Sequence, residues 1–140
     1  MASNSETILR RLYDEVINGG QFDAIDELLA ADYVEHPEEV RGPAAFKERM
    51  KMFRQAFPDL HVSLDEVLVE GERASTRTTI RGTHTGALMG IPATGRSVEI
   101  LAVDMAHFRG GRAVERWGGL DMFSLMQQLG VIPAPAQATA

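Results

Sequence analysis

The 140-residue sequence contains no cysteine, which excludes disulfides and metal sites built from thiolates. It has no excess of basic residues: the formal net charge is −6, whereas binding to nucleic-acid phosphates requires clustered lysine and arginine. It has no apolar run long enough to span a membrane, and no apolar signal-peptide core follows the N-terminus. We therefore expect a cytoplasmic protein that binds neither nucleic acid nor membranes.

The sequence also lacks a recognisable set of metal ligands. Its four histidines are spread along the chain, and they do not form the close i, i+4 pair that holds a metal ion on a helix. We therefore expect no metal and no cofactor, and an activity that survives exhaustive chelation.

What the sequence does contain is a helical half followed by a strand half. Apolar residues recur at helical spacing in three early segments, 5–18, 22–29 and 42–57, and again over 122–129. Alternating apolar residues and turn glycines predict strands over most of residues 61–120, with a β-bulge at Asp65–Glu66. This order predicts an α+β fold in which a curved antiparallel sheet wraps around the N-terminal helices. Such a cone-shaped barrel encloses a pocket suited to a small, largely apolar or aromatic ligand.

The length fits a single domain, at residues 1–132, which buries about two-thirds of the surface of the unfolded chain. Residues 133–140 consist mostly of alanine and proline, and we expect them to form a disordered C-terminal tail.

The segment from Leu101 to Leu129 contains the clearest candidate for chemistry. Two strands joined by a glycine turn lead into Asp121. Strict alternation along the second strand places five residues on one face: Ala113, Glu115, Trp117, Gly119 and Asp121. A carboxylate beside a large apolar ring and a glycine has space around it and little water, which suits it to proton transfer. The alternative is that Asp121 is only a helix N-cap.

The residue that accompanies Asp121 depends on the hairpin turn. A two-residue turn at Gly110–Gly111 places Asp104 on the face of Asp121, whereas a three-residue turn that includes Arg109 places His107 there. Glycine at the third loop position is what the second turn requires. We favour His107, as a donor that orients Asp121 or steadies an enolate; a hydrogen-bonded structural histidine is the alternative.

Several segments together resemble one family. They are Tyr33-Val-Glu-His36, Phe57-Pro-Asp59, Gly82-Thr-His-Thr-Gly86, Gly90-Ile-Pro-Ala-Thr-Gly95, and Val114-Glu-Arg-Trp117 with Asp121. Across residues 5–132 the chain resembles the SnoaL-like polyketide cyclases, or predicted ester cyclases, among the cone-shaped α+β barrels related to nuclear transport factor 2. The resemblance implies a cofactor-independent enzyme that closes the ring of a polyketide ester by intramolecular aldol condensation. It maps the acid/base aspartate onto Asp121, with His107 as companion.

We expect the substrate to contact a set of aromatic, histidine and methionine side chains: Trp117, His36, Met105, Phe53 and Tyr33. Two carboxylates that share a proton near Asp104 would favour a different reaction, such as epoxide opening or double-bond migration, so a related isomerase or epoxide hydrolase stays open. A non-catalytic ligand-binding or dimerisation module also stays open, because a fold alone does not decide function.

The long strands at 97–108 and 113–120 cannot bury both of their faces in one subunit of this size. We expect the outer face to carry Val114, Arg116, Gly118 and Leu120. A partner sheet is the simplest cover, which predicts a homodimer or a dimer of dimers.

Overall fold

The computed structural model describes residues 4–133, so residues 134–140 of the expected tail lie outside the described residues. The helices are α1 (Asn4–Arg11), α2 (Ile25–Leu28), α3 (Gly42–Ala56) and α4 (Met122–Leu129). Helix α1 continues in π-helical form over Leu12–Asn18, and a 3₁₀ turn at Phe22–Ala24 precedes α2. The strands are β1 (Leu29–His36), β2 (Val40–Arg41), β3 (His61–Glu70), β4 (Arg73–Thr83), β5 (Ser97–Arg109) and β6 (Arg112–Trp117). Within residues 4–133, no helix is both long enough and apolar enough to cross a membrane.

The helices form where the apolar spacing predicts them. The first apolar stripe is buried along α1 and its π-helical continuation: Ile8, Leu9, Leu12, Tyr13, Val16 and Ile17. Helix α3 begins at Gly42 with proline in its first turn, where the missing N–H has no helical partner to lose, and it buries Phe46 completely. These helices pack against the sheet and supply one wall of the main core.

The six strands form one curved, unclosed sheet in the order β2-β1-β6-β5-β4-β3. The bulge expected near Asp65 is confirmed, since the β3–β4 register shifts between Leu64 and Glu66. The expected α+β fold with a curved sheet and N-terminal helices is confirmed, and the sheet is mixed, because β1 pairs with β6 in parallel whereas the other strand pairs are antiparallel. Strand β1 follows α2 directly. For this reason the sequence pattern assigns Leu29 to the end of a helix and Tyr33 to a loop, although both belong to the strand.

The β5–β6 hairpin decides which side chains face the interior. Gly110 and Gly111 form a two-residue turn with φ of 59° and 81°, a conformation that favours glycine at both positions. Phe108 pairs with Ala113 and His107 pairs with Glu115, so Val114 is an extra residue that forms a bulge.

This bulge reverses the alternation along β6. Ala113 is buried in the main core, whereas beyond the bulge Arg116, Gly118 and Leu120 line an internal cleft. The expected outer-face position of Arg116, Gly118 and Leu120 is therefore wrong. The outer face instead exposes apolar residues of β5: Leu101, Val103 and Met105, at 53%, 55% and 47% of their full accessibility.

Candidate active site

A cleft opens between the inner face of the sheet and the helices α3 and α4. It has an empty volume of about 850 Å³, its opening to solvent included. Most of its wall is apolar and comes from α3, the following turn and the central strands: Met50, Phe53, Phe57, Leu60, Ile80 and Ile100. The cleft therefore gives a polar group on its inner wall mostly apolar neighbours.

Three charged side chains meet in this apolar wall, and we call them the carboxylate–guanidinium cluster: Glu35, Asp104 and Arg116. Arg116 Nη1 donates to Glu35 Oε2 at 3.1 Å, and Arg116 Nη2 lies 3.0 Å from Asp104 Oδ2. The side chains of Glu35 and Asp104 are only 5% exposed, and that of Arg116 is 17% exposed. A buried charge is costly unless it is paired, and the guanidinium is paired here on both sides.

The charges of the cluster do not cancel, since two carboxylates surround one guanidinium. Burial alone lowers the pKa of the Arg116 guanidinium, but Tyr13, Glu35 and Asp104 outweigh burial and hold that pKa well above its usual range. Arg116 therefore stays positively charged in the cleft. The cluster therefore holds two acidic groups for one basic group.

Two tyrosine hydroxyls lie near the carboxylate–guanidinium cluster, that of Tyr13 in the lining of the cleft and that of Tyr33 behind Glu35. The Tyr33 hydroxyl donates to Glu35 Oε2 at 2.7 Å, and Tyr13 lines the cleft beside Arg116. Burial raises the pKa of both tyrosines, so both hydroxyls remain protonated at neutral pH. They act as neutral hydrogen-bonding groups and not as further negative charges.

Two consecutive glycines shape the surroundings of Asp104. The backbone N–H of Gly119 donates to Asp104 Oδ1 at 2.9 Å, and a Cβ at Gly119 would lie only 2.4 Å from the Val103 carbonyl oxygen. A Cβ at Gly118 would lie 3.3 Å from Asp104 Oδ1. The close approach at Gly119 fixes the carboxylate, and the missing side chain at Gly118 leaves room in front of it.

The structure places Asp121 outside this cleft. Its side chain is exposed and caps α4, where Oδ1 accepts a hydrogen bond from the Ser124 N–H at 2.9 Å. The expectation that Asp121 faces the pocket beside Trp117 is corrected, because the bulge at Val114 turns Trp117 to the outer face and β6 ends at Trp117. The N-cap geometry weighed as the alternative is the one that the structure shows.

His107, Trp117, His36 and Met105 meet on the outer face of the sheet. The Trp117 ring stacks on His36 at 5.5 Å between centroids and contacts the edge of His107 at 4.8 Å. His36 Nε2 lies 2.7 Å from Glu115 Oε2, and Met105 pairs with Trp117 across the strands. His107, Trp117, His36 and Met105 do not line the cleft, so the expectation that Trp117, His36 and Met105 contact a substrate there is corrected. The position expected for His107, beside a pocket carboxylate at Asp121, is corrected with it. His107 does share a face with Trp117, but the bulge and not a three-residue turn puts it there.

The two remaining expected contacts lie on the inner side. Phe53 lines the cleft, and Tyr33 is 1% exposed behind Glu35 with its ring edge-on to Phe46. Sequence reasoning missed Glu35, Arg116 and Tyr13 as site residues. The available signal was Tyr33-x-Glu35, which puts a carboxylate on the same face of a strand as a buried aromatic ring.

Among the described residues, no group of three or more histidines and carboxylates is arranged to hold a metal ion. The polar side chains that line the cleft carry hydroxyl, carboxylate and guanidinium groups. Their arrangement suits proton transfer to and from a bound molecule, with the guanidinium available to a developing oxyanion.

Comparison with known proteins gives consistent results. The profile of the SnoaL-like polyketide cyclase family matches residues 7–129. The aklanonic acid methyl ester cyclase DnrD of Streptomyces peucetius is 28% identical over 130 residues, which are 88% of each chain. The enzyme of the same description, DauD, from Streptomyces sp. (strain C5) is also 28% identical, over 88% of this chain and 80% of its own. Among solved structures, TsrD from Streptomyces laurentii superposes with a TM-score of 0.85 at 26% identity, covering 94% of this chain and 99% of its own. Wild-type IdmH from Streptomyces antibioticus gives a TM-score of 0.78 at 29% identity, covering 91% and 99%.

Proposed function

The chain belongs to the SnoaL-like polyketide cyclase family, and from this premise we propose that it closes a ring by intramolecular aldol addition within a polyketide ester, with Asp104 as the acid/base. One observation supports the assignment most: Asp104 is a buried carboxylate inside a largely apolar cleft, held on one oxygen by Arg116 and on the other by the Gly119 N–H. The curated relatives are named as aklanonic acid methyl ester cyclases, so that ester is the first substrate to test.

The proposed reaction begins with proton transfer from carbon. A carbon between a ketone and an ester is acidic enough for a carboxylate to remove its proton, and the electron pair of the C–H bond passes into an enolate. The enolate carbon then attacks a second carbonyl carbon of the same molecule, and the C=O electron pair moves to oxygen. The alkoxide takes the proton back from Asp104, so the product is an isomer of the substrate and the carboxylate is restored.

The protein contributes position and charge to this sequence. The apolar walls hold the chain of the substrate folded, which replaces an improbable encounter of its two ends by a preformed one. Arg116 lies beside Asp104 and carries a fixed positive charge, so it stabilises negative charge that develops on the enolate oxygen. The neutral Tyr13 hydroxyl lines the same cleft and supplies a further donor.

Asp104 is a better candidate for the base than Glu35, although both line the cleft. Each carboxylate accepts two donors: the Tyr33 hydroxyl and Arg116 both contact Glu35 Oε2, whereas Arg116 and the Gly119 N–H contact different oxygens of Asp104, so the space beside each carboxylate has to distinguish them. The space left by Gly118 adjoins Asp104 Oδ1 and lets a substrate carbon approach it. Glu35 then acts as a positioning residue that holds Arg116 in place.

Hydration of an epoxide is the second candidate function. It is favoured by one observation, the two carboxylates joined through a single guanidinium. In that reaction one carboxylate takes a proton from water, the water oxygen attacks an epoxide carbon, and the opening oxygen takes a proton from the other, protonated carboxyl group. The product gains the mass of one water, whereas the cyclase product keeps the mass of its substrate.

The test is incubation of the purified protein with aklanonic acid methyl ester, followed by chromatography and mass spectrometry. The proposal predicts a new species of unchanged mass that forms faster than in buffer and that Asp104→Asn does not produce. An Asp104→Asn variant that forms the product at the parent rate would contradict the assignment of the base. A product heavier by one water from an epoxide substrate, with no isomerisation of the ester, would favour the second candidate.

A further inference from the structure

A second arginine, Arg49 of α3, lines the cleft apart from the carboxylate–guanidinium cluster. Its Nη2 lies 3.4 Å from Oε1 of Glu38, which also lines the cleft, and we call these two residues the Glu38–Arg49 pair. The guanidinium carbon lies 5.5 Å from the centre of the Phe53 ring. The Arg49 side chain is 17% exposed, whereas that of Glu38 is 43% exposed. Arg49 is thus a largely buried cation, and its carboxylate partner among residues 4–133 is Glu38, which faces solvent.

This ion pair is a weak one. A charge-assisted N–H···O contact is normally shorter, near 2.8 Å, and an ion pair with a partner this exposed contributes little because water screens it. The ring of Phe53 supports the guanidinium through a cation–π contact but occupies none of its hydrogen-bond donors. Arg49 therefore retains the capacity to bind an oxyanion in the cleft.

The two arginines in the cleft differ in their capacity to bind an anionic ligand. Arg116 already contacts two buried carboxylates, one on each side of its guanidinium. A ligand carboxylate placed against that cluster has to compete with both, whereas the same group at Arg49 competes with the weak contact to Glu38. Among the described residues that line the cleft, the cations are Arg49 and Arg116, so the choice between them orients a ligand.

We propose that Arg49 is a specificity-determining residue that binds an anionic oxygen, a carboxylate or a phenolate, on an aromatic substrate. Glu38 contacts Arg49 and is displaced when such a ligand binds. The anion at Arg49 directs the uncharged part of the ligand towards Asp104. The inference deepens the proposed function by naming a substrate class, but it depends only on what the cleft binds and not on which residue is the base.

The test uses two probes of nearly equal shape, anthraquinone-2-carboxylate and its methyl ester, with binding followed by quenching of probe or protein fluorescence. A charge-assisted contact predicts that the parent protein binds the carboxylate about tenfold more tightly than the ester. Arg49→Gln should remove that preference and leave affinity for the ester unchanged. Glu38→Gln should increase the preference several-fold, because it removes the competitor of the ligand.

Lys51→Gln provides the matched control. Lys51 lies on the same helix and also pairs with a carboxylate, Glu48 at 3.8 Å, but it does not line the cleft. The same unit of charge is lost, so equal effects of Lys51→Gln and Arg49→Gln on the carboxylate would show a nonspecific effect of net charge and would overturn the proposal. Circular dichroism and thermal unfolding confirm that each variant is folded.

Three further outcomes would overturn the proposal. The parent protein could bind both probes equally tightly, Arg49→Gln could weaken the binding of both probes by the same factor, or the parent protein could bind neither probe. Repeating the measurement in Asp104→Asn separates this inference from the proposed function. The preference for the carboxylate should persist in Asp104→Asn. If Asp104 is not the base, the assignment of Arg49 still stands, and if Arg49 does not bind the anion, the assignment of Asp104 still stands.

Discussion

Replacing Asp104 by asparagine is the perturbation that separates chemistry from structure most cleanly. Asparagine keeps the volume of aspartate, and its carbonyl oxygen can still accept the hydrogen bond from the Gly119 N–H, but it cannot take a proton from carbon. Losing a general base commonly reduces the rate by about a hundred- to ten-thousand-fold. We expect kcat to fall by that factor while affinity for the ester changes little.

The expected effect on stability is moderate, because Arg116 keeps one carboxylate partner. In the parent, Arg116 contacts two carboxylates; in Asp104→Asn it keeps Glu35. Asparagine has one acceptor oxygen where Asp104 has two, so either Arg116 Nη2 or the Gly119 N–H loses its acceptor, at a cost of about 1–3 kcal/mol in the free energy of unfolding. Removing both partners of Arg116 would instead leave a buried unpaired charge, which is much more destabilising.

Asp121→Asn is the matched control, because it removes a carboxylate that the structure places at an exposed N-cap. It should cost under about 1 kcal/mol of stability, since asparagine also caps helices well, and it should leave kcat near the parent value. The measurements are initial rates of ester cyclisation by chromatography and unfolding midpoints in urea. Full activity in Asp104→Asn together with loss of activity in Asp121→Asn would refute this reasoning and make Asp121 the base.

Four further predictions follow from other parts of the structure. Gly118→Ala places a Cβ 3.3 Å from Asp104 Oδ1, so kcat/KM should fall about tenfold or more with little change in thermal stability; an unchanged kcat/KM would show that substrate does not approach from that side. Both tyrosines of the chain are buried with raised pKa values, so phenolate absorbance should be absent at about pH 11 until the protein unfolds, and stability should fall as the pH rises above the ordinary tyrosine pKa of about 10. The exposed apolar face of β5 should form a homodimer or dimer of dimers that Val103→Glu converts to monomers, measured by light scattering; a parent protein that is monomeric at micromolar concentration would contradict this. Activity should survive exhaustive chelation, and its loss, with recovery on adding one metal ion, would show that a metal takes part.

Much of the fold follows from local pattern. The apolar stripe from Ile8 to Ile17 and the helix start at Gly42–Pro43 are predictable because helical spacing and first-turn proline are properties of short segments. The bulge near Asp65 is predictable for the same reason, since the slip in alternation is visible in a few residues. Strand β1 was not predictable in this way, because its partner β6 lies about 80 residues further along the chain.

The candidate site was harder to predict because one residue reverses the faces of a strand. Without Val114 as an extra residue, strict alternation carries Trp117 and Asp121 to the side of Ala113; with the bulge, Arg116 and Gly118 face inward instead. A bulge in a short hairpin leaves no clear mark in the sequence, since Val114 is an ordinary strand residue. Asp104 was recognised as an alternative, but only the observed register places it beside Arg116.

The structure of Asp104→Asn with the uncyclised ester bound tests the central claim most directly. The claim predicts that the ester occupies the cleft lined by Phe53 and Ile100, with its acidic carbon within about 3.5 Å of the side chain of residue 104, the range of near-attack contacts. A bound ester whose acidic carbon lies against Asp121, or on the outer face beside Trp117, would contradict it.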